Sequence, residues 1–133
     1  MQLTYNNQSL LGAGCYESTD AGISRFGKVV IEEMNRVGMV IDMSHSAEES
    51  TLQAIELSQR PIVISHANPT FFEPAKRNKS NKVLSALSES EGLLGFSMYP
   101  FHLKNGPKCT LDEFCTMVAQ TVGLMVALKV EES

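Results

Sequence analysis

Several features are missing from this sequence, and each absence removes a class of function. No apolar run approaches the roughly 18–20 residues that span a bilayer. The first residues, Met1 to Asn7, have no basic stretch followed by an apolar core, so no signal peptide is read there. Lys and Arg number 11 against 15 Asp and Glu, a formal charge of -4 with no basic cluster to set against it. That balance excludes non-specific nucleic-acid binding. Neither glycine-rich phosphate pattern, G-x-G-x-x-G or G-x-x-x-x-G-K, occurs, so an unrelated open α/β sheet would lack its ligand loop. Cysteine is scarce and odd in number, Cys15, Cys109 and Cys115, with no C-x-x-C spacing. Reduced thiols and a cytoplasmic chain are the expectation.

What remains is an ordinary globular composition, 43% hydrophobic and 20% charged over 133 residues, enough for one domain with a real core. Its centre is the stretch Gly38 to His66. Two short apolar runs, Met39–Met43 and Ile62–Ile64, each lead into Ser-His, at Ser44-His45 and Ser65-His66. Between them, 47–58 has helical patterning, with Ser46 and Glu49 spaced as a capping box and Leu52, Ile55 and Leu57 directed at the sheet. Apolar, β-branched runs separated by a helix are the sequence form of parallel strands with a crossover. The strand C-termini then share one face, where α/β folds place ligands. His45 and His66 are therefore expected side by side, as candidates for a metal or acid–base site. Asp42, three residues before His45, alternates to the opposite face and is expected to be structural or supporting.

The flanking segments extend the alternation. Residues 2–5 form a short candidate strand, and 6–22 a loop with Gly12 and Gly14 as expected φ > 0 positions. A helix over 24–37 carries the stripe Phe26, Val29, Val30, Met34 and Val37, and Gly38 follows its end. After His66, residues 67–79 form a long polar loop of the kind that carries function. A helix over 81–89 (Val83, Leu84, Leu87) leads to a strand over 93–98. A capping box at Thr110 and Glu113 opens a last helix with Phe114, Met117, Val118 and Val122, followed by an apolar tail over 124–130. Met34, Met39, Met43, Met98, Met117 and Met125 are expected as core filler, and His102 as a loop residue. The organisation is one domain over 1–133: strand and loop over 1–22, the two Ser-His strands with their helices over 23–66, and loop, strand and C-terminal helix over 67–133.

The motifs Leu3-Thr-Tyr-Asn6, Gly12-x-Gly-Cys15, Asp20-x-Gly22 and Phe26-Gly27, then Glu33 through Ser44-His45, Ser65-His66 and Lys76-Arg-Asn78, resemble in order and spacing the membrane (renal) dipeptidase family of zinc metallopeptidases. The resemblance covers about residues 2–122. It implies a (β/α)8 TIM-type barrel with two zinc ions at its C-terminal mouth, hydrolysing dipeptides. By that resemblance His45 and His66 are zinc ligands. Tyr5 stands where many members have a substrate-contacting His, Arg77 binds the substrate carboxylate, and Tyr99 lies at the mouth.

The chain departs from the family pattern in its remaining ligands. No H-x-D occurs, since His45, His66 and His102 are followed two residues on by Ala47, Asn68 and Lys104. The bridging Glu and the Asp near the eighth strand have no counterpart either, and 122–125 is where that strand would begin. The expectation is an internal piece of the barrel, about strands four to seven. The alternative is a non-catalytic half barrel that self-associates, as a homodimer, over its open edges.

Overall fold

The computed structural model describes residues 1–130. Four helices alternate with four parallel rungs of sheet. The helices are α1 (Arg25–Val37), α2 (Glu48–Leu57), α3 (Asn81–Glu89) and α4 (Leu111–Val130), and the strands with regular pairing are β1 (Val63–Ile64) and β2 (Leu93–Leu94). Val63 pairs with Leu93 in parallel, Asp42 bridges in parallel to Val63, and Gln2 to Asp42. The rungs thus run in chain order, each followed by a helix, and this α/β alternation matches the sequence reading. No helix among the described residues is long and apolar enough to cross a membrane.

The strands are shorter than their apolar runs. The expected strands over 2–5 and 39–43 each contribute a single residue to the parallel sheet, Gln2 and Asp42, and the strand over 93–98 stops after Leu94. Around Asp42 a side chain replaces the ladder. Asp42 Oδ1 accepts the Ser44 and Ser65 N–H groups at 3.0 and 3.3 Å, taking over what a ladder would supply. Beyond Leu94, a Cβ on Gly95 would lie 2.1 Å from the Ser65 carbonyl oxygen, so only glycine permits that approach.

Helix α1 starts at the Ser24 N-cap, whose hydroxyl accepts the Gly27 N–H, and ends at Gly38 in the left-handed region with φ 75°. Its buried face meets the expected stripe only at Met34, with Val30 packed part-buried against the core. Gly27, Ile31 and Met34 face inward with Asn35, while Phe26, Val29 and Val37 are exposed. A Cβ at Gly27 would meet the Leu11 carbonyl oxygen at 2.1 Å, so the helix docks there and the Gly27–Ile31–Met34 row turns to the core.

The capping box at Ser46 and Glu49 does not form. The α2 N-cap is Ala47, with no side-chain bond. Ser46 is buried against Thr4, Oγ to Oγ1 at 2.8 Å. Asp20 from the preceding loop caps instead, its carboxylate accepting the Glu49 N–H and the Ser50 hydroxyl. Leu52, Ile55 and Leu57 pack part-buried at the edge of the core, and Ala54 sits within it. The second box is present: Glu113 N–H donates to Thr110 Oγ1 at 3.2 Å and Thr110 N–H to Glu113 Oε2 at 2.8 Å. Helix α4 runs unbroken through the expected tail, so 122–125 is helical and begins no strand.

Gly12 and Gly14 are not left-handed; among the glycines that role falls to Gly22, Gly38 and Gly106. Gly14 serves a close approach, since a Cβ there would lie 2.1 Å from the Asn6 carbonyl oxygen. The core gathers Leu3, Ile31, Met34, Ile41, Met43, Ile62, Ile64, Val83 and Leu87. Met39 and Met98 are exposed rather than core filler, because each lies beyond the short paired part of its strand. Cys15, Cys109 and Cys115 are free thiols.

Candidate active site

At the C-terminal end of the sheet, the two Ser-His turns lie against each other. His45 Nε2 and His66 Nε2 are 2.9 Å apart. Each ring is held from its other nitrogen. His45 Nδ1 lies 2.7 Å from the Asn6 amide oxygen. An amide oxygen only accepts, so the proton sits on Nδ1 and the Nε2 lone pair faces the cavity. His66 Nδ1 lies 2.8 Å from Ser65 Oγ. That hydroxyl donates to Asp42 Oδ2 at 2.5 Å, which leaves it an acceptor toward the ring. Both imidazoles therefore present Nε2 lone pairs to one point.

Asp42 is the hub of this arrangement. It accepts the Ser44 hydroxyl at 2.5 Å as well as that of Ser65, and reaches the His66 ring through Ser65. Burial alone would raise its pKa. The Ser44 and Ser65 hydroxyls and N–H groups outweigh that and bring it down to about 2. Asp42 therefore lies at the mouth as a support, where strand alternation pointed it away; the turn after Met43 brings Ser44 back over the carboxylate.

A cavity of about 480 Å³ opens over the pair, lined by Tyr5, Asn6, Tyr16, His45, His66, Arg77, Ser97, Tyr99 and His102. All five residues singled out in the sequence are brought to it. Tyr5 stacks on the His45 ring, centroids 4.0 Å apart and planes 21° from parallel. Tyr99 packs on Phe101 and edge-on to His102. Arg77 is only 3% exposed, although it comes from the long polar loop. Its Nη1 donates to the Ser44 carbonyl and its Nη2 to His45 Nε2 at 3.3 Å. Among the described residues the one ion pair is Arg36 with Glu33 on the surface of α1, so the buried guanidinium has no carboxylate beside it.

These surroundings keep the imidazoles neutral. Burial, then the Arg77 charge, lowers His45 to about 4, and the same two causes lower His66 and His102. Neutral imidazole is the metal-ligating form.

His102, expected as a plain loop residue, is buried on the cavity wall, with Nδ1 2.9 Å from Ser97 Oγ. Its carbonyl accepts the side-chain N–H groups of Asn68 and Asn78, which tie the 67–79 loop to this segment. Asn6, Tyr16, Ser97 and Lys79 also escaped the sequence reading. Of these only Asn6, inside a recognised motif, carried any signal. Among the described residues no three His, Cys, Asp or Glu side chains gather closely enough to hold an ion alone.

The family model described as membrane dipeptidase, peptidase family M19, matches residues 1–124. Dipeptidase tcpJ of Claviceps purpurea is 33% identical over 92 residues, covering 68% of this chain and 22% of that protein. Dipeptidase 3 of Mus musculus is 35% identical over 74 residues, or 56% of this chain and 15% of that one. Among solved structures, an amidohydrolase from Pseudomonas aeruginosa superposes with TM-score 0.89 at 35% identity, over 93% of this chain and 38% of that one. A metallo peptidase from Rhodobacter sphaeroides, bound to a phosphinate mimic of the dipeptide L-Ala-D-Ala, shares the fold with TM-score 0.84 at 20% identity and the same coverage. The chain thus spans about a fifth of the first of these curated relatives and 38% of these solved chains. With a family model matched over nearly its whole length, the chain belongs to the membrane dipeptidase family of metallopeptidases, peptidase family M19.

Proposed function

We propose that this chain carries part of a zinc-dependent dipeptidase site, built on an arc of a (β/α)8 barrel. In this reading His45 and His66 ligate zinc, Arg77 binds the substrate carboxylate, and Tyr5 and Tyr99 contact the dipeptide. The ordered parallel rungs and alternating helices support the arc. The observation that carries the site is the pair of Nε2 lone pairs 2.9 Å apart, each fixed by a partner on Nδ1. Two lone pairs at that separation repel; the Arg77 Nη2–H relieves this at His45 Nε2 alone, and a cation bound by both nitrogens would relieve it at each. Two nitrogens at about 2.0–2.1 Å from a tetrahedral zinc are themselves only slightly farther apart. The partners on Nδ1 are the outer-shell contacts that orient ligating histidines.

As a donor set the pair fits two positions of a zinc site. A catalytic zinc takes about three protein ligands, so further ligands complete it. When bound, zinc supplies Lewis-acid polarisation of the peptide carbonyl and an acidified water. The chain's own residues bind and orient. Among the described residues Arg77 is a buried cation without a carboxylate partner, suited to a bidentate substrate carboxylate. Its Nη2 now donates to the His45 lone pair, and an incoming carboxylate gives that N–H another acceptor, freeing Nε2. Tyr5 covers one face of His45 and screens it from water.

The test is zinc titration of the purified chain by chelator competition, with dipeptide hydrolysis followed on the same samples. Wild type is expected to bind zinc, His45→Ala and His66→Ala to bind at least tenfold more weakly, and any hydrolysis to stop with chelator. Equal zinc affinity in the His45→Ala/His66→Ala double variant would overturn the ligand assignment.

A second reading, self-association, is favoured by exposed Phe26, Val29, Val37, Met39 and Val40, five apolar side chains around one helix and its exit. Sedimentation across a hundredfold concentration range would test it, and a constant monomer mass would exclude it.

A further inference from the structure

Lys79 is buried, 3% exposed, and none of its hydrogen bonds goes to a carboxylate. Its ammonium donates to the Met43 carbonyl at 3.0 Å and to the Ser46 carbonyl at 2.8 Å. These carbonyls stand on either side of the Ser44-His45 pair. The two between them are also held, Ser44 O by Arg77 and His45 O by the Cys15 N–H. Every carbonyl of the turn that presents His45 therefore has a partner outside the turn, and Lys79 supplies two of the four.

A buried ammonium is costly in an interior, and where space alone had to be filled an apolar side chain would serve better. What Lys79 adds is two donors at one point, bridging the start and end of the turn. The donors come from 67–79, the same loop that delivers Arg77, so one segment sets both the guanidinium and the backbone beneath His45.

We infer that Lys79 is a positioning residue for His45: it pins the Met43–Ser46 turn so that the imidazole keeps Nδ1 on Asn6 and Nε2 toward His66. Its bearing on metal binding rests on the reading of His45 as a ligand; its bearing on the ring does not. Partners that orient a ligating histidine typically change metal affinity 10–100-fold when removed. Acting through the backbone, Lys79 belongs at the lower end of that range.

The experiment compares wild type, Lys79→Met and Lys79→Arg. The ¹⁵N shifts of the His45 and His66 rings report tautomer, and chelator competition reports zinc affinity. In Lys79→Met, His45 is expected to shift from a single Nδ1–H tautomer to a mixture while His66 holds its own, with zinc bound about tenfold more weakly. Lys79→Arg keeps donors at the turn and is expected to restore the His45 tautomer. Unchanged His45 shifts in Lys79→Met overturn the inference. If wild type takes up no zinc, the ligand reading fails, while the ring shifts still decide the role of Lys79. Should Lys79→Met fail to fold, wild type decides. Couplings across hydrogen bonds from the Lys79 ¹⁵Nζ to the Met43 and Ser46 carbonyl carbons support the inference, and their absence overturns it.

Discussion

Replacing Asp42 with Asn removes one charge and leaves the shape of the side chain, so it isolates what the carboxylate does at the mouth. Asp42 accepts two hydroxyls at 2.5 Å and two backbone N–H groups at 3.0 and 3.3 Å. Its pKa falls from 3.8 to about 2. At about 1.4 kcal/mol per unit, that shift corresponds to roughly 2–2.5 kcal/mol of stabilisation of the charged form. Asp42 is only half-buried, and solvent screening brings the figure to about 1–1.5 kcal/mol. For a chain of this size, about 3–5 °C of melting temperature accompanies each kcal/mol, so the variant should melt roughly 3–7 °C lower at pH 7. The sign with pH follows from the lowered carboxylate. The contribution is complete above the unfolded value of 3.8 and disappears as pH falls through about 2. The gap between wild type and Asp42→Asn, measured by circular dichroism melts, should therefore be full at pH 5 and nearly closed at pH 2. A gap below 1 °C at pH 7, or one as wide at pH 2 as at pH 7, would refute the reasoning. A linked effect is expected at His66. Freed from Asp42, the Ser65 hydroxyl can donate to Nδ1, which moves the ring proton to Nε2 and is visible in its ¹⁵N shifts.

Gly14→Ala places a Cβ 2.1 Å from the Asn6 carbonyl oxygen. It should cost at least about 2 kcal/mol in urea unfolding and disturb the Asn6–His45 bond, whereas a cost under about 0.5 kcal/mol would mean the loop gives way freely. Asp20→Ala removes the cap of α2 and is expected to lower stability by about 1–2 kcal/mol, checked by the same unfolding curves. Burial, reinforced by the Arg77 charge and partly opposed by Cys15, Asp42 and Glu48, lowers Lys79 from 10.5 to about 8. The folded chain sheds this proton first, so stability should rise between pH 8 and 10.5, by at most about 3 kcal/mol. The difference between wild type and Lys79→Met across that window isolates the effect, and a flat difference would contradict it.

Much of the framework was legible because its signals are local. Thr110 caps its helix through bonds spanning three residues, and Gly38 ends α1 in the conformation glycine tolerates best. The Ser-His strand ends likewise drew attention to His45 and His66, and the family resemblance to Arg77; the fold brings all three to one cavity. The misjudged cap and helix face depend on distant chain. Ser46 fits a capping box until Thr4 claims its hydroxyl, and Asp20 caps from about thirty residues away in the chain. Phe26 and Val29 match a helical stripe as well as Ile31 does, and only the contact of Gly27 with Leu11 decides which row turns inward.

By itself, then, the sequence determined the alternation of helices with parallel rungs, the family, and the residues gathered at the strand ends. Tertiary structure alone decided that Asp42 supports both Ser-His turns, that His102 joins the wall, and that Lys79 and Arg77 hold the His45 turn from beneath. The physical reason lies in range. Caps and periodicity act within a few residues. A buried ammonium bridging two carbonyls more than thirty residues away leaves no pattern in its own neighbourhood, where Lys79 is simply a lysine in a polar loop.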